Sequence, residues 1–510
     1  MAYGPVRADW RTGLIIANVR EKCKEGLPKR VGKKLGAGDP VKKYINEMIK
    51  EYTNRPLSPW HMPGHKRKPH FGGFWDETFS RDLTEVPGTD DYHHPEGAIR
   101  DSQAAAAEVY GTAYSHYLVG GTTAGILAGI LALSELYREK KGNGLATERP
   151  IFLVAGNVHR SVHHALRLAG ADVINLEPKE DPYYGAVMED EVKCVLDRLE
   201  VQGEISRVAG CVITSPSYGG AISPIKEIHD LLKKEGIPLF VDEAHGAHFP
   251  FIPELSEYSG ICAGAELVVQ SLHKTLPALT QTGIIHVGQT GMPGQVEILE
   301  RELTRQLSVV QSSSPSYLLL ASAEQAVAWA DEHREEFAVY DQRVHAFRER
   351  LRDILSVGNR FILTDFSRKQ DPTRIFLRII SGPPVSMSRI ADHLEKEEGI
   401  VAELAGKDEL ILISTVADQD ADFEKLLAVL KRVSEKLNSG EFADAGNGDG
   451  ENRNLQNAKV SVPKPGEVAK RDIYSYPPGI LILREGDPVT EEAASRIAGE
   501  LSAGRTVRGL

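Results

Sequence analysis

The run SLHKTLPALTQTG, Ser271 to Gly283, sets Lys274 at the end of an apolar stretch, with a hydroxyl three residues before it and the imidazole of His273 beside it. Most lysines are solvated surface charges. One held among polar groups and followed by an uncharged stretch has the setting of a Schiff-base nucleophile. That chemistry anchors pyridoxal phosphate, a cofactor that also needs an anion for its pyridinium nitrogen, a cradle for its phosphate and a flat group against its ring.

Each need has a candidate. Asp242, in VDEAHGAH, closes an apolar run, where a buried carboxylate would keep the ring nitrogen protonated; the plainer alternative is an Asp capping the next helix. GGTTAG, Gly120 to Gly125, precedes the helical run ILAGILALSELYREK. Its glycines let backbone approach a phosphate, Thr122 and Thr123 offer hydroxyls, and a helix N-terminus adds partial positive charge; a helix start capped by Thr is the competing reading. Ser271 and His273 can complete this cradle. His159, in GNVHRSVHHA, can lie flat on the ring or be an ordinary polar loop residue. His245 can reach the ring hydroxyl or a substrate carboxylate, and Ala244 is small enough to sit against the ring. His163 and His164 read as helix surface.

A rigid frame must hold these groups. From Pro150 onward the short apolar runs PIFLVAG, VAGCVITSP, IPLFVDEAH and AELVVQSLHK alternate with helical patterns such as IKEIHDLLKKEG. Continuous apolarity suits strands buried on both faces, which predicts a parallel sheet wrapped in helices. The expected divisions are an N-terminal extension over 1–41, a large domain over 42–335 opening with a helix from Val41 to Tyr52, and a smaller α+β domain over 336–437. A polar, Gly-rich linker over 438–464 and a segment over 465–510 that docks back on the body follow.

Bulk properties narrow the function classes. The chain has 510 residues, 41% hydrophobic and 26% charged, with a formal net charge of −12. That balance argues against a nucleic-acid partner, and the basic cluster Lys29, Arg30, Lys33 and Lys34 reads as a solvated segment. No apolar run is long enough for a membrane span. Cys23, Cys194, Cys211 and Cys262 are scattered without zinc spacing and read as reduced thiols, so cytoplasmic residence is expected and no metal site.

Beyond the individual residues, the chain resembles the Orn/Lys/Arg decarboxylases, and within them the shorter bacterial branch. Besides the runs already quoted, the resemblance rests on HMPGHKR (His61 to Arg67), TDDYHHPEGAI (Thr89 to Ile99), TSPSYGG, SSSPSYLLLAS (Ser312 to Ser322) and YPPGI (Tyr476 to Ile480). It implies an α/β, fold type I architecture, with a mostly parallel seven-stranded sheet in the large domain. It also implies decarboxylation of arginine, lysine or ornithine in polyamine biosynthesis. Lys274 would bond the cofactor, Asp242 pair with the pyridinium, His159 stack, and Thr122, Thr123, Ser271 and His273 hold the phosphate. A homodimer or larger assembly with shared sites is implied, Ser313 and Ser314 reaching the neighbouring subunit's phosphate. Either Lys274 or His273 would return the proton to Cα.

One stretch departs from the family pattern. Before YPPGI the family carries an acidic residue expected to face the substrate's cationic tail, whereas counting back here gives Arg471, with Asp472 next. A one-residue slip or another acid such as Glu467 would restore the pattern; an Arg471 facing the pocket would select an anionic amino acid instead. Asp91, Arg471 and Asp472 are therefore the substrate candidates. An aminotransferase or oxidase on the same cofactor, or a non-catalytic relative, are the remaining alternatives.

Overall fold

The computed structural model describes residues 41–68, 75–142, 148–289, 294–358, 360–366, 369–382, 385–406, 408–442, 462–476, 480–502 and 506–510. The 1–41 extension up to residue 40, residues 443–461 of the 438–464 linker, and residues 477–479 of YPPGI lie outside them.

A seven-stranded sheet organises the large domain. Its strands are β1 (Tyr114–Leu118), β2 (Ile151–Ala155), β3 (Asp172–Leu176), β4 (Val208–Thr214), β5 (Leu239–Asp242), β6 (Leu267–Gln270) and β7 (Gly283–Val287), in the order β1-β7-β6-β5-β4-β2-β3. β7 runs antiparallel to both neighbours and the other pairings are parallel, as a mostly parallel sheet requires. Every residue of β2, β5, β6 and β7 is buried, which is why these strands read as unbroken apolar runs.

Helices cover both faces. In chain order they are α1 (Tyr44–Thr53), α2 (Ala98–Tyr110), α3 (Gly121–Lys140), α4 (Arg160–Ala169), α5 (Glu189–Gln202), α6 (Ile225–Lys234), α7 (Gln295–Val310) and α8 (Tyr317–Glu332). The first begins a few residues later than the expected Val41. It has no side-chain cap of its own; instead the buried Glu324 of α8 accepts from the Ile45 and Asn46 amides at 2.9 Å each. α3 lies so close to the sheet that a Cβ at Gly129 would stand 2.5 Å from the Phe240 ring.

The long α9 (Arg334–Leu355) leads to a second sheet, fully antiparallel in the order β10-β11-β9-β8, made of β8 (Phe361–Leu363), β9 (Arg374–Ile379), β10 (Leu404–Ala405) and β11 (Glu409–Ile413). α10 (Met387–Glu398) packs on it, and α11 (Asp420–Asn438) packs against α9 and α10. This is an α+β arrangement. A last sheet, β13-β12-β14, consists of β12 (Ile473–Tyr476), β13 (Ile480–Leu483) and β14 (Thr506–Arg508), with α12 (Glu491–Ser502) against it around Ile473, Leu483 and Ile497. It sits on the outer side of α4: Tyr474 Oη and His164 Nε2 are 3.1 Å apart, Arg167 donates to Glu485 at 3.0 Å, and Tyr183 donates to Glu500 at 2.6 Å. His164 stays exposed on α4 although Tyr474 reaches it, whereas burial with the nearby Arg484 charge pulls the His163 pKa down to about 4.

Candidate active site

Adjacent parallel strands β5 and β6 end side by side, and the turns that follow them deliver Asp242 and Lys274 to one place. Lys274 opens out of a single helical turn, Leu272–Thr275, directly after Ser271. Its Nζ lies 3.0 Å from His245 Nε2. Burial lowers the lysine pKa, with Asp242 opposing and Arg374 adding to the effect. An amine held below its usual range is a better nucleophile toward an aldehyde.

Asp242 is 2% exposed, and its carboxylate accepts the Ala244 amide at 3.2 Å. Burial raises its pKa, the Lys274 charge pulling the other way. The carboxylate caps no helix, since neither β5 nor the turn after it starts one. A cationic ring nitrogen would match this under-compensated anion.

The N-terminus of α3 has the make-up of an anion cradle. Its N-cap is Gly120, with no side-chain cap, and Gly121 adopts φ +69°, which a side chain would strain. The first-turn amides are therefore not claimed by a Thr cap. Gln311 Oε1 fixes the approach by accepting the Val119 and Gly120 amides at 3.0 and 3.1 Å. Thr122 Oγ1 and Ser271 Oγ stand 3.1 Å apart, tying the cradle to the lysine turn, while Thr123 is exposed beside them. His273 donates Nδ1–H to the Thr282 carbonyl at 2.8 Å, because a carbonyl only accepts. Nε2 is then the nitrogen through which His273 exchanges a proton.

His159 is the N-cap of α4, its Nδ1 accepting the Ser161 amide at 3.3 Å. Burial first, then the Lys274 charge, hold its pKa near 4, so the ring is neutral and close enough to feel the lysine's field. Ala244 is buried, between Asp242 and His245. An uncapped helix start, a buried anion, a lysine amine and a neutral flat ring converge here, and together they fit pyridoxal phosphate.

Other candidates fall elsewhere. Ser313 and Ser314 are exposed, on the segment just after Gln311. Asp91 is exposed, and its Oδ1 holds a turn by accepting the His93 and His94 amides at 2.8 and 2.9 Å. Arg471 is exposed in the C-terminal segment, and Asp472 accepts from Tyr474 Oη at 3.0 Å and from the Glu485 amide at 2.8 Å. Among the described residues, no hydrogen bond joins Asp91, Arg471 or Asp472 to the Lys274 cluster.

Two residues absent from the sequence-derived set stand in it. Arg374, first residue of β9 and 0% exposed, approaches His245 Nδ1 to 2.9 Å with Nη2. Tyr218, in TSPSYGG, meets the His245 ring edge-on at 5.2 Å and donates to Glu403 at 2.7 Å. An arginine opening a strand beyond the large domain carries no local mark of function, although TSPSYGG, already conspicuous as a motif, pointed to Tyr218.

Comparison with known proteins agrees with this geometry. Residues 44–364 match the family described as Orn/Lys/Arg decarboxylase, major domain. The uncharacterized protein YaaO of Bacillus subtilis is 30% identical over 90% of this chain and 94% of its own. An arginine decarboxylase of Bacillus anthracis is 28% identical over 90% of this chain and 93% of its own. In fold, the lysine decarboxylase LdcF of Francisella novicida superposes with a TM-score of 0.72 at 17% identity, covering 92% of this chain and 79% of that one.

Proposed function

The chain belongs to the Orn/Lys/Arg decarboxylase family, whose members are pyridoxal-phosphate-dependent amino-acid decarboxylases, and from that premise we propose that it converts a basic amino acid, arginine first among arginine, lysine and ornithine, to its amine with release of carbon dioxide. The observation that carries the site assignment is the delivery of Lys274 and Asp242 by neighbouring strand ends to the uncapped start of α3.

Bound there, pyridoxal phosphate supplies the sink for the electron pair left at Cα when the carboxylate departs. Lys274 would hold the cofactor through its side-chain amine. Asp242 keeps a proton on the ring nitrogen. The α3 amides, Thr122, Thr123, Ser271 and His273 would carry the phosphate, His159 would lie against the ring, and Ala244 is small enough to sit against it too. A proton would reach Cα from Lys274 Nζ or from His273 Nε2, the two candidates that the lysine turn itself carries.

For the substrate's cationic tail, Glu403 offers a carboxylate whose field reaches Lys274 and which Tyr218 holds at 2.7 Å. The exposed Arg471 has no described contact with the cluster, so nothing in the geometry favours an anionic substrate. The proposal extends to polyamine biosynthesis in a cytoplasmic homodimer or larger assembly, in which Ser313 and Ser314, exposed in the single chain, face a neighbouring subunit's phosphate. Carbon dioxide release from arginine, lysine, ornithine, aspartate, glutamate and cysteate tests the reading, with Lys274→Ala as control. Turnover of arginine above the others is expected; turnover confined to the acidic three would overturn it.

A further inference from the structure

Arg374 carries a role that neither the family assignment nor the cofactor accounts for. We infer that Arg374 is a positioning residue that fixes the tautomer of His245, so that His245 Nε2 donates its hydrogen to Lys274 Nζ and the lysine is held as the neutral amine. The inference rests on reading Lys274 as the cofactor's anchor.

The argument is one of donors and acceptors. A guanidinium has five N–H donors and no acceptor, so at 2.9 Å the Arg374 Nη2 can only donate to His245 Nδ1. Nδ1 must then be bare, which excludes both the Nδ1–H tautomer and the doubly protonated ring. The one proton of the neutral imidazole sits on Nε2, and Nε2 faces Lys274 Nζ at 3.0 Å. Two N–H groups cannot point at each other across that distance, so Nζ must present a lone pair. A hydrogen bond given to the neutral form of a base favours that form.

Arg374 itself is held in place. A Cβ at Gly220, which has φ +98°, would lie 2.8 Å from Arg374 Cβ. Asp371 donates its amide to the Gly220 carbonyl at 2.8 Å, and Gln370 donates to the Gly219 carbonyl at 2.9 Å. The seam between the two domains therefore presses the guanidinium toward the imidazole. Its Nε and Nη1 make no hydrogen bond in the structure, so the contact to His245 is the directed one. The charged groups around the pair act in the same sense or are distant enough not to reverse it. Burial first, then Lys274, Arg374, His159 and His248, disfavour a second proton on His245, whereas Asp242 and Glu403 favour charge on Lys274 but are outweighed by its burial.

Two readouts on the full-length, cofactor-free protein test this. The first is nitrogen NMR of ¹⁵N-histidine protein at neutral pH, with His245 assigned by its loss in His245→Asn. Wild type should show His245 Nδ1 bare and Nε2 protonated, and Arg374→Gln, whose amide can accept as well as donate, should show a mixture. The second is the acetylation rate of Lys274 by acetic anhydride, read by peptide mass spectrometry. At neutral pH it should fall about tenfold in Arg374→Gln, the change that one pKa unit produces. A wild-type His245 carrying its proton on Nδ1 overturns the inference even if Arg374→Gln fails to fold. So does a fall in acetylation with the tautomer unchanged, which would mark a plain charge effect. Failure of the anchor assignment would show separately, as cofactor absorbance that survives borohydride reduction and dialysis in Lys274→Ala.

Discussion

Replacing Asp242 with Asn separates what the carboxylate does for the cofactor from what it does to the fold. In the cofactor-free chain Asp242 is 2% exposed and burial raises its pKa, so its charged form is less welcome in the folded protein than in the unfolded one. The resulting penalty is absent below the unfolded carboxyl pKa, near 3.9, and grows as pH rises through the elevated folded value. Asn keeps the shape and the contact with the Ala244 amide, now 3.2 Å from Oδ1, without the charge. The cofactor-free Asp242→Asn protein should therefore melt at a higher temperature than wild type at pH 8, the gap narrowing as pH falls. Cofactor binding should move the opposite way. Removing one member of a buried ion pair costs about 3–5 kcal/mol, so pyridoxal phosphate affinity should drop on the order of a hundredfold or more. Melting curves with and without cofactor, and titration of cofactor absorbance, read both arms. An affinity within threefold of wild type would refute the pairing of Asp242 with the ring nitrogen, and a lower melting temperature of the cofactor-free variant would refute the account of its burial.

Three further outcomes follow from other parts of the molecule. Mixing Lys274→Ala with a Ser313→Ala/Ser314→Ala variant, each inactive alone, should restore about a quarter of wild-type activity if sites are shared, since half the dimers are mixed and each holds one intact site; no recovery after verified subunit exchange would place the serines outside a shared site. His159 and His286, held neutral by burial with pKa values near 4 and 3, disfavour folding as pH falls below the free-histidine value of about 6.5, so chemical denaturation between pH 6.5 and 4 should show stability falling by about 1.4 kcal/mol per unit for each, and His286→Asn should flatten the slope. Gly129→Ala, whose Cβ would lie 2.5 Å from the Phe240 ring, should destabilise by about 1–3 kcal/mol in urea titration while leaving the site residues in place.

The sequence discloses the site where function and local pattern coincide. Lys274, Asp242, His159 and Thr122 each follow an apolar strand or open a helix, and buried strands announce themselves by composition, so their order along the chain foretells their convergence. What stays hidden depends on distant partners. The antiparallel course of β7 cannot be read from GIIHV, which is as apolar as its parallel neighbours. Glu324 looks like any helix-surface acid until α1 is placed against it, and nothing in GNVHRSVHHA tells that His164 meets Tyr474 of the last sheet. Arg374 is the sharpest case: 129 residues separate it from His245, and only the seam at Gly220 brings them together. Arg471, conspicuous by a count along the sequence, lies exposed, because counting to a motif does not say which way a strand presents its neighbours.

The seam also has a consequence in time. On a ribosome adding roughly 5–20 residues per second, about 5–20 s pass between the emergence of Lys274 and that of Arg374. During that interval Thr122, His159, Asp242 and His245 are already outside, yet the imidazole has no guanidinium to choose its tautomer and the lysine is free to take a proton. On this reading the nascent chain would carry Lys274, Asp242, His159 and Thr122 before Arg374, and a translation product halted within those hundred residues would hold a candidate site whose lysine is not yet kept neutral.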